Sequence, residues 1–308
     1  MAGPPALPEG FAEYLAATRP VRADPPLTLE QQRLLADRNA ALIRVARPAG
    51  MTVTDTFAVG GGMETPVRIY RPGPEAAAAL VYFHGGGFTT GSIETYDPLA
   101  MALAEASGAC VLSVGYRRLP EASPRAILDE ALRVFEWALA FAEPLGLDPE
   151  RIGVAGDSAG AMIAAMLAAR LRDAGGTLPA CQALLYGVFD MADARVPDGA
   201  PEDPVLSRPV LDAIAAAYRE CDARDPLGRP QPAHDAAAGL PPAVMIQAGL
   251  DPLRGQGEDH ARRLADAGVR VTTRTAPGMP HGFLRAVRFS PDAREEMRWL
   301  GRAIAELI

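Results

Sequence analysis

No lysine occurs anywhere in the 308 residues, so all 30 of the Lys+Arg positions are arginine. That absence excludes chemistries that need an amine side chain: a P-loop phosphate lysine, a Schiff base, a Ser-Lys dyad. Cysteine is scarce as well. Cys110, Cys181 and Cys221 are odd in number and widely spaced, which fits neither a disulfide framework nor a zinc site. They read as small buried apolar residues in a reducing compartment. Positive charge is outweighed, and the net charge of −8 argues against nucleic acid or an anionic membrane as partner. No apolar run approaches the roughly 18 residues of a membrane span. The opening "MAGPPALPEG" has neither the basic nor the apolar region of a secretory signal, so the expected location is the cytoplasm.

With 49% hydrophobic residues the chain can bury a large core, and one domain of α/β type is expected. "LTLEQQRLLADRNAALIR" opens on Thr28 with Gln31 three residues on, a capping-box pattern ahead of an apolar periodicity. "MTVTDTFAV" and "TPVRIYRP" read as two strands around Gly60-Gly61-Gly62, a hairpin turn in preference to a phosphate cradle. Strands and helices then alternate. "AALVYFH", "ACVLSVGY", "RIGVAG", "ACQALLYGVF", "AVMIQAG" and "RVTTRTAP" read as strands. "DPLAMALAEASG", "ASPRAILDEALRVFEWALAFAEPLG", "AGAMIAAMLAARLRDAGG", "GQGEDHARRLADAG" and "PDAREEMRWLGRAIAELI" read as helices. That rhythm predicts a mostly parallel sheet covered on both faces. Residues 191 to about 225 break it with loop and helix where a short connection would suffice. Two readings stand: a lid over the strand ends, shared with the N-terminal helices, or a surface excursion.

Gly156-Asp157-Ser158-Ala159-Gly160 is a G-x-S-x-G pattern between a strand and a helix. A turn that sharp strains the serine backbone and leaves no room beside it for a side chain, while the helix N-terminus favours developing negative charge. A serine hydroxyl needs a base. Of the four histidines, His260 lies in the charged helical stretch "GEDHARR" and is expected to face solvent, and His234 lies in a Pro-rich loop. His84 is expected to brace its own loop. His281, in "PGMPHGF" after the last strand, is the candidate base, and Asp251, straight after "AVMIQAGL", the candidate carboxylate to orient it. Glu258, Asp259 and Asp266 follow on a helix and are expected to face water. The order Ser158, Asp251, His281 is that of α/β-hydrolases. His84-Gly85-Gly86-Gly87-Phe88 follows a strand and can turn backbone N–H groups inward as oxyanion donors.

These residues resemble the hormone-sensitive-lipase-like family of α/β-hydrolase carboxylesterases over nearly the whole chain. The carriers are "HGGGF" at 84–88, "GYRRLPE" at 115–121, "GDSAG" at 156–160, "LPPAVMIQAGLDPLR" at 240–254 and "HGF" at 281–283. The resemblance implies residues 1–46 as the N-terminal part of a helical cap and 47–308 as the catalytic domain, with the rest of the cap inserted at about 191–225. It implies Ser158 as nucleophile, His281 as general base and acid, Asp251 as orienting carboxylate, and the N–H groups of Gly86, Gly87 and Ala159 as the oxyanion hole. Small-molecule esters of short to medium acyl chains would be hydrolysed without metal or cofactor, and by resemblance alone the enzyme would be a homodimer built through the sheet edge. Phe88, Tyr186 and Phe189 read equally as acyl-pocket walls or as core aromatics. Three positions depart from the family pattern: Ala161, Gly255, and the Arg118-Leu119 pair. An amidase, peptidase or acyltransferase on the same triad stays open. A ligand receptor on a hydrolase scaffold is disfavoured, because all three triad members are present.

Overall fold

Apolar runs without alternation need cover on both faces, and the sheet supplies it. In the computed structural model, which describes residues 7–18, 27–200 and 202–308, eight strands form one sheet in the order β1-β2-β4-β3-β5-β6-β7-β8. The expected cap segments therefore fall partly outside the described residues, at 1–6, 19–26 and 201. β1 (Thr52–Gly60) and β2 (Met63–Arg71) make the expected antiparallel hairpin. Its two central residues, Gly61 and Gly62, have φ of 59° and 76°, the positive pair that a two-residue I′ turn demands. β2 also runs antiparallel to β4. β3 (Ala79–Phe83), β4 (Cys110–Val114), β5 (Ile152–Asp157), β6 (Gln182–Leu185), β7 (Ala243–Ala248) and β8 (Val271–Ala276) are parallel.

The period-2 alternation of a strand divides each run between two cores. Leu80, Tyr82, Val111, Val244 and Ile246 point to the face covered by α3 (Ile93–Ser107) and α8 (Pro291–Ala305), with α1 (Phe11–Thr18) packed on α2 (Leu29–Ile43) and α2 on α3. Val81, Phe83, Leu112, Val154 and Met245 point to the other, covered by α4 (Pro124–Ala140), α5 (Ala159–Asp173) and α7 (Arg254–Asp266), with α6 (Arg208–Arg224) packed on α4. Each fully buried Leu, Val or Phe stabilises by about 1.5–3 kcal/mol before chain entropy is set against it. Both neighbours of β3 are parallel to it, and the chain leaves β3 toward β4 but leaves β5 toward β6, on the opposite side. The carboxyl ends of β3 and β5 thus frame the crevice at which an open α/β sheet binds its ligand.

Local chemistry explains where the elements begin and end. Thr28 and Gln31 form the expected capping box at α2. α3 starts a turn earlier than the Asp97-Pro98 pair suggests, because Ser92 and Thr95 form a second capping box, and Pro98 is carried inside the helix. α4 stops at Ala140, well short of Gly146: Pro144 disfavours helix at the residue before it, and Gly146 (φ 63°) ends the following turn. β6 is only four residues long, since Tyr186 takes φ 35° and swings the chain off the sheet toward Ser158. No described helix is long and apolar enough to cross a membrane, and all three cysteines are free and buried.

α3 and α8 approach closely at Gly301, where an added Cβ would stand 2.3 Å from the Ala106 carbonyl oxygen. Gly→Ala in an open helix stabilises by about 1 kcal/mol, but overpacking a tight contact costs about 1–3 kcal/mol. Gly301→Ala is therefore expected to lower the urea midpoint, and a midpoint raised as at an open helical site would contradict this packing.

Candidate active site

The serine sits on a corner that only its neighbours permit. Ser158 has φ 54° and ψ −119°, a left-handed conformation that a non-glycine residue adopts at a cost of about 1–3 kcal/mol. An added Cβ at Gly156 would lie 2.2 Å from the Gly160 carbonyl oxygen, and one at Gly160 would lie 1.9 Å from that of Phe83. Both glycines are thus obligatory, and α5 is pressed against the end of β3. The corner is held from the next strand by the Ser158 N–H, which donates to the Leu185 carbonyl at 2.9 Å.

His281 and Asp251 converge on it from the ends of β8 and β7. His281 Nε2 is 2.8 Å from Ser158 Oγ, and Nδ1 is 2.6 Å from Asp251 Oδ2. Asp251 keeps its second oxygen on the Leu253 N–H at 2.8 Å. Burial by itself would lower the imidazole pKa, but Asp251 outweighs it by charge and hydrogen bond, with Asp203 and Asp157 adding to it, so the pKa stands above the usual 6.5. The backbone N–H of His281 donates to Asp203 Oδ2 at 2.6 Å.

Across the crevice, the turn after β3 carries positive φ at Gly86 (113°), Gly87 (60°) and Phe88 (61°). Among the described residues, the N–H groups of Gly86, Gly87 and Ala159 donate to no partner. Asp157 ties this turn to the serine corner: Oδ1 accepts the Tyr82 hydroxyl at 2.6 Å and the Gly85 N–H at 2.7 Å. Burial pushes this carboxyl up to about 6. Arg33 of α2 holds the turn from outside, donating through Nε to the Thr89 carbonyl (2.7 Å) and through Nη2 to that of Leu119 (2.6 Å).

Comparison with known proteins gives the family and the class of activity. An alpha/beta hydrolase fold family matches residues 80–285. The chain belongs to that family. It is 38% identical to the carboxylesterase NlhH of Mycobacterium tuberculosis over 260 residues, 82% of this chain and 80% of the relative. It is 32% identical to an ethyl acetate hydrolase of Pseudomonas putida, covering 91% of each. In three dimensions it is similar to a hyperthermophilic esterase from the archaeon Pyrobaculum calidifontis, with a TM-score of 0.84 and 30% identity over 96% of both chains.

One expectation for this α/β-hydrolase needs correcting. His260 is 4% exposed, not a solvent-facing residue: its ring stacks on Phe189 with centroids 4.3 Å apart, on the inner side of α7. Charged neighbours in sequence hid the inward stripe of Gly257, His260, Ala261 and Leu264. Of the two readings open for Phe88, Tyr186 and Phe189, their exposures of 1%, 2% and 0% fit core aromatics. Phe88 leans on Tyr218 of α6, and Tyr186 stands edge-on to His281.

Other residues are placed as read. His84 braces its loop, with Nδ1 2.7 Å from the Gly85 carbonyl and its ring stacked between Tyr96 and Tyr116. His234 is exposed and paired with Asp190. Glu258, Asp259 and Asp266 face water. Of the three departures, Ala161 packs in the core, Gly255 has open space around it, and Arg118 donates to the Gly91 carbonyl at 2.5 Å. Asp157, Arg33 and Asp203 escaped the motif reading. Asp157 alone carried a signal, as a charged residue inside an apolar strand end.

Burial lowers the His260 pKa to about 4. An unfolded chain binds this proton near 6.5, so the stability tied to neutral His260 is complete above 6.5 and lost as pH falls toward 4, about 3 kcal/mol in all. His260→Phe should keep that increment, its advantage over the parent in urea melts widening from pH 7 to pH 4. An advantage that stays constant with pH would refute the assignment.

Proposed function

We propose that this ester hydrolase is a serine carboxylesterase for short- to medium-chain acyl esters, working through an acyl-enzyme. The observation that carries the reading is the continuous line from Ser158 Oγ through both ring nitrogens of His281 to Asp251, at 2.8 and 2.6 Å. Ser158 Oγ attacks the ester carbonyl carbon as Nε2 takes its proton. The bond to Asp251 fixes the tautomer that leaves Nε2 free to accept, and stabilises the imidazolium that forms. The unpartnered N–H groups of Gly86, Gly87 and Ala159 receive the oxyanion, aided by the N-terminus of α5. Collapse breaks the bond to the alcohol, which leaves with the proton from Nε2. Water, deprotonated by the same nitrogen, then cleaves the acyl-enzyme and restores Ser158.

We assign α1, α2 and α6 to a cap over this crevice. Ile214 of α6 lies against Gly87, within 2.6 Å of where a Cβ would stand, so an apolar wall meets the oxyanion turn where a short acyl chain would lie.

Ser158→Ala is expected to lower turnover of p-nitrophenyl acetate by about 10⁴-fold or more; an alanine variant with parental activity would remove Ser158 from the mechanism. Across p-nitrophenyl esters from acetate to decanoate, kcat/KM should fall at the long end, and a rise continuing to decanoate would contradict the proposed chain-length range. Because His281 must be neutral to act as base and its pKa is raised, kcat/KM should decline as pH is lowered, with the acid limb above 6.5. A limb below 6.5 would contradict the charge environment described.

A further inference from the structure

Two carboxylates, not one, hold His281. Asp203 lies in the 191–225 segment, two residues past the undescribed position 201 and ahead of α6, and is 4% exposed. Its Oδ1 accepts the N–H groups of Val205 (2.7 Å) and Leu206 (2.9 Å), closing a tight turn, while Oδ2 accepts the His281 N–H at 2.6 Å. All three partners are donors. A buried group surrounded only by N–H donors is matched by an anion with lone pairs on both oxygens. We propose that Asp203 is a positioning residue for the esterase reaction: supplied by the inserted segment, its carboxylate fixes the His281 backbone, and with it the imidazole, in register with Ser158.

The inference rests on the triad reading above and adds a dependence that the triad alone does not contain. His281 follows a loop through Gly278 and precedes Gly282, both at positive φ, so its own segment gives it little stiffness. Asp251 grips one ring nitrogen, which leaves rotation about that contact free. A second grip on the backbone removes that freedom. A displacement of about 1 Å at a proton-transferring group can cost 10²-fold in rate. The grip comes from outside the catalytic sheet, so a docked insertion and a competent base become one condition. The charged groups acting on His281 are Asp251 from the turn after β7, Asp157 from the end of β5, and Asp203; Tyr186 meets the ring edge-on, and Arg285 acts on Asp157. Asp203 therefore contributes to the imidazole's basicity as well as to its place.

Asp203→Asn tests this at constant volume, because an amide must turn its NH₂ toward at least one of the three N–H donors. Asp203→Ser keeps a short oxygen for the Val205–Leu206 turn but leaves nothing to reach His281. Rates are normalised to sites titrated with a fluorophosphonate, so that unfolded protein does not enter. With p-nitrophenyl acetate, both variants should lose roughly 10- to 100-fold in kcat, with KM little changed, and their acid limb should move to lower pH. The labelling rate should fall in parallel. Parental kcat and an unmoved acid limb in both variants would overturn the proposal while leaving the triad intact, as would a change confined to KM or to melting temperature. If the parent itself is not labelled on Ser158, the triad reading fails and the role of Asp203 falls with it.

Discussion

The structure turns on a close contact between two backbones. The first turn of α5 is pressed onto the end of β3 at Gly160 and against β5 at Gly156, with no room for a single Cβ at either place. That contact forces Ser158 into its left-handed corner and lifts its hydroxyl out of the sheet. Strain of this kind persists only where the surroundings over-determine it. Here they do: β5 is central in the sheet with β3 and β6 paired to its sides, α5 is buried along most of its length, and the Leu185 carbonyl holds the serine amide. The place of the serine at the crevice where the chain connections reverse side, the idle N–H of Ala159 and the direction from which a base can approach all follow from that corner.

Around it the charges are arranged asymmetrically. Asp251, Asp203 and Asp157 surround one imidazole, each kept in place by N–H or hydroxyl donors. Such a cluster favours a positive charge on His281 during the proposed reaction, which is where the transition state needs it. On the opposite side His84, equally buried, has its pKa lowered to about 4 and stays neutral between two tyrosine rings. Two buried histidines 197 positions apart in the chain thus take opposite electrostatic roles: burial, with Arg118 and Arg285 adding to it, disfavours charge on His84, whereas at His281 the facing carboxylates outweigh burial.

The use of arginine as the sole strong base also has a structural consequence. Isolated surface ion pairs add little stability. Several arginines instead fork between main-chain carbonyls of different segments. Arg33 of α2 joins Thr89 and Leu119, and Arg288 reaches back to the carbonyls of Leu42 and Arg44. A planar guanidinium can bridge two acceptors in fixed geometry, which a lysine ammonium does far less well. The N-terminal helices are tied to the sheet domain at both ends of α2 in this way, and one of these ties ends on the glycine turn itself.

Much of this was legible in the residues, for local reasons. Continuous apolar runs meant strands covered on both faces, glycine at 61 and 62 meant a tight hairpin, and G-x-S-x-G between a strand and a helix meant a sharp serine corner, because in each case neighbouring residues supply the cause. The chain order of Ser158, Asp251 and His281 was readable too, since each falls just past a strand end. What only the tertiary structure decided were contacts between distant segments: Asp203 on the His281 amide 78 residues away, Arg33 on Thr89 at a separation of 56, and the inward turn of His260 within a polar helix. A hydrogen bond of that span leaves no periodicity and no spacing in the sequence, because its geometry is set by how whole elements pack and not by the backbone that joins them.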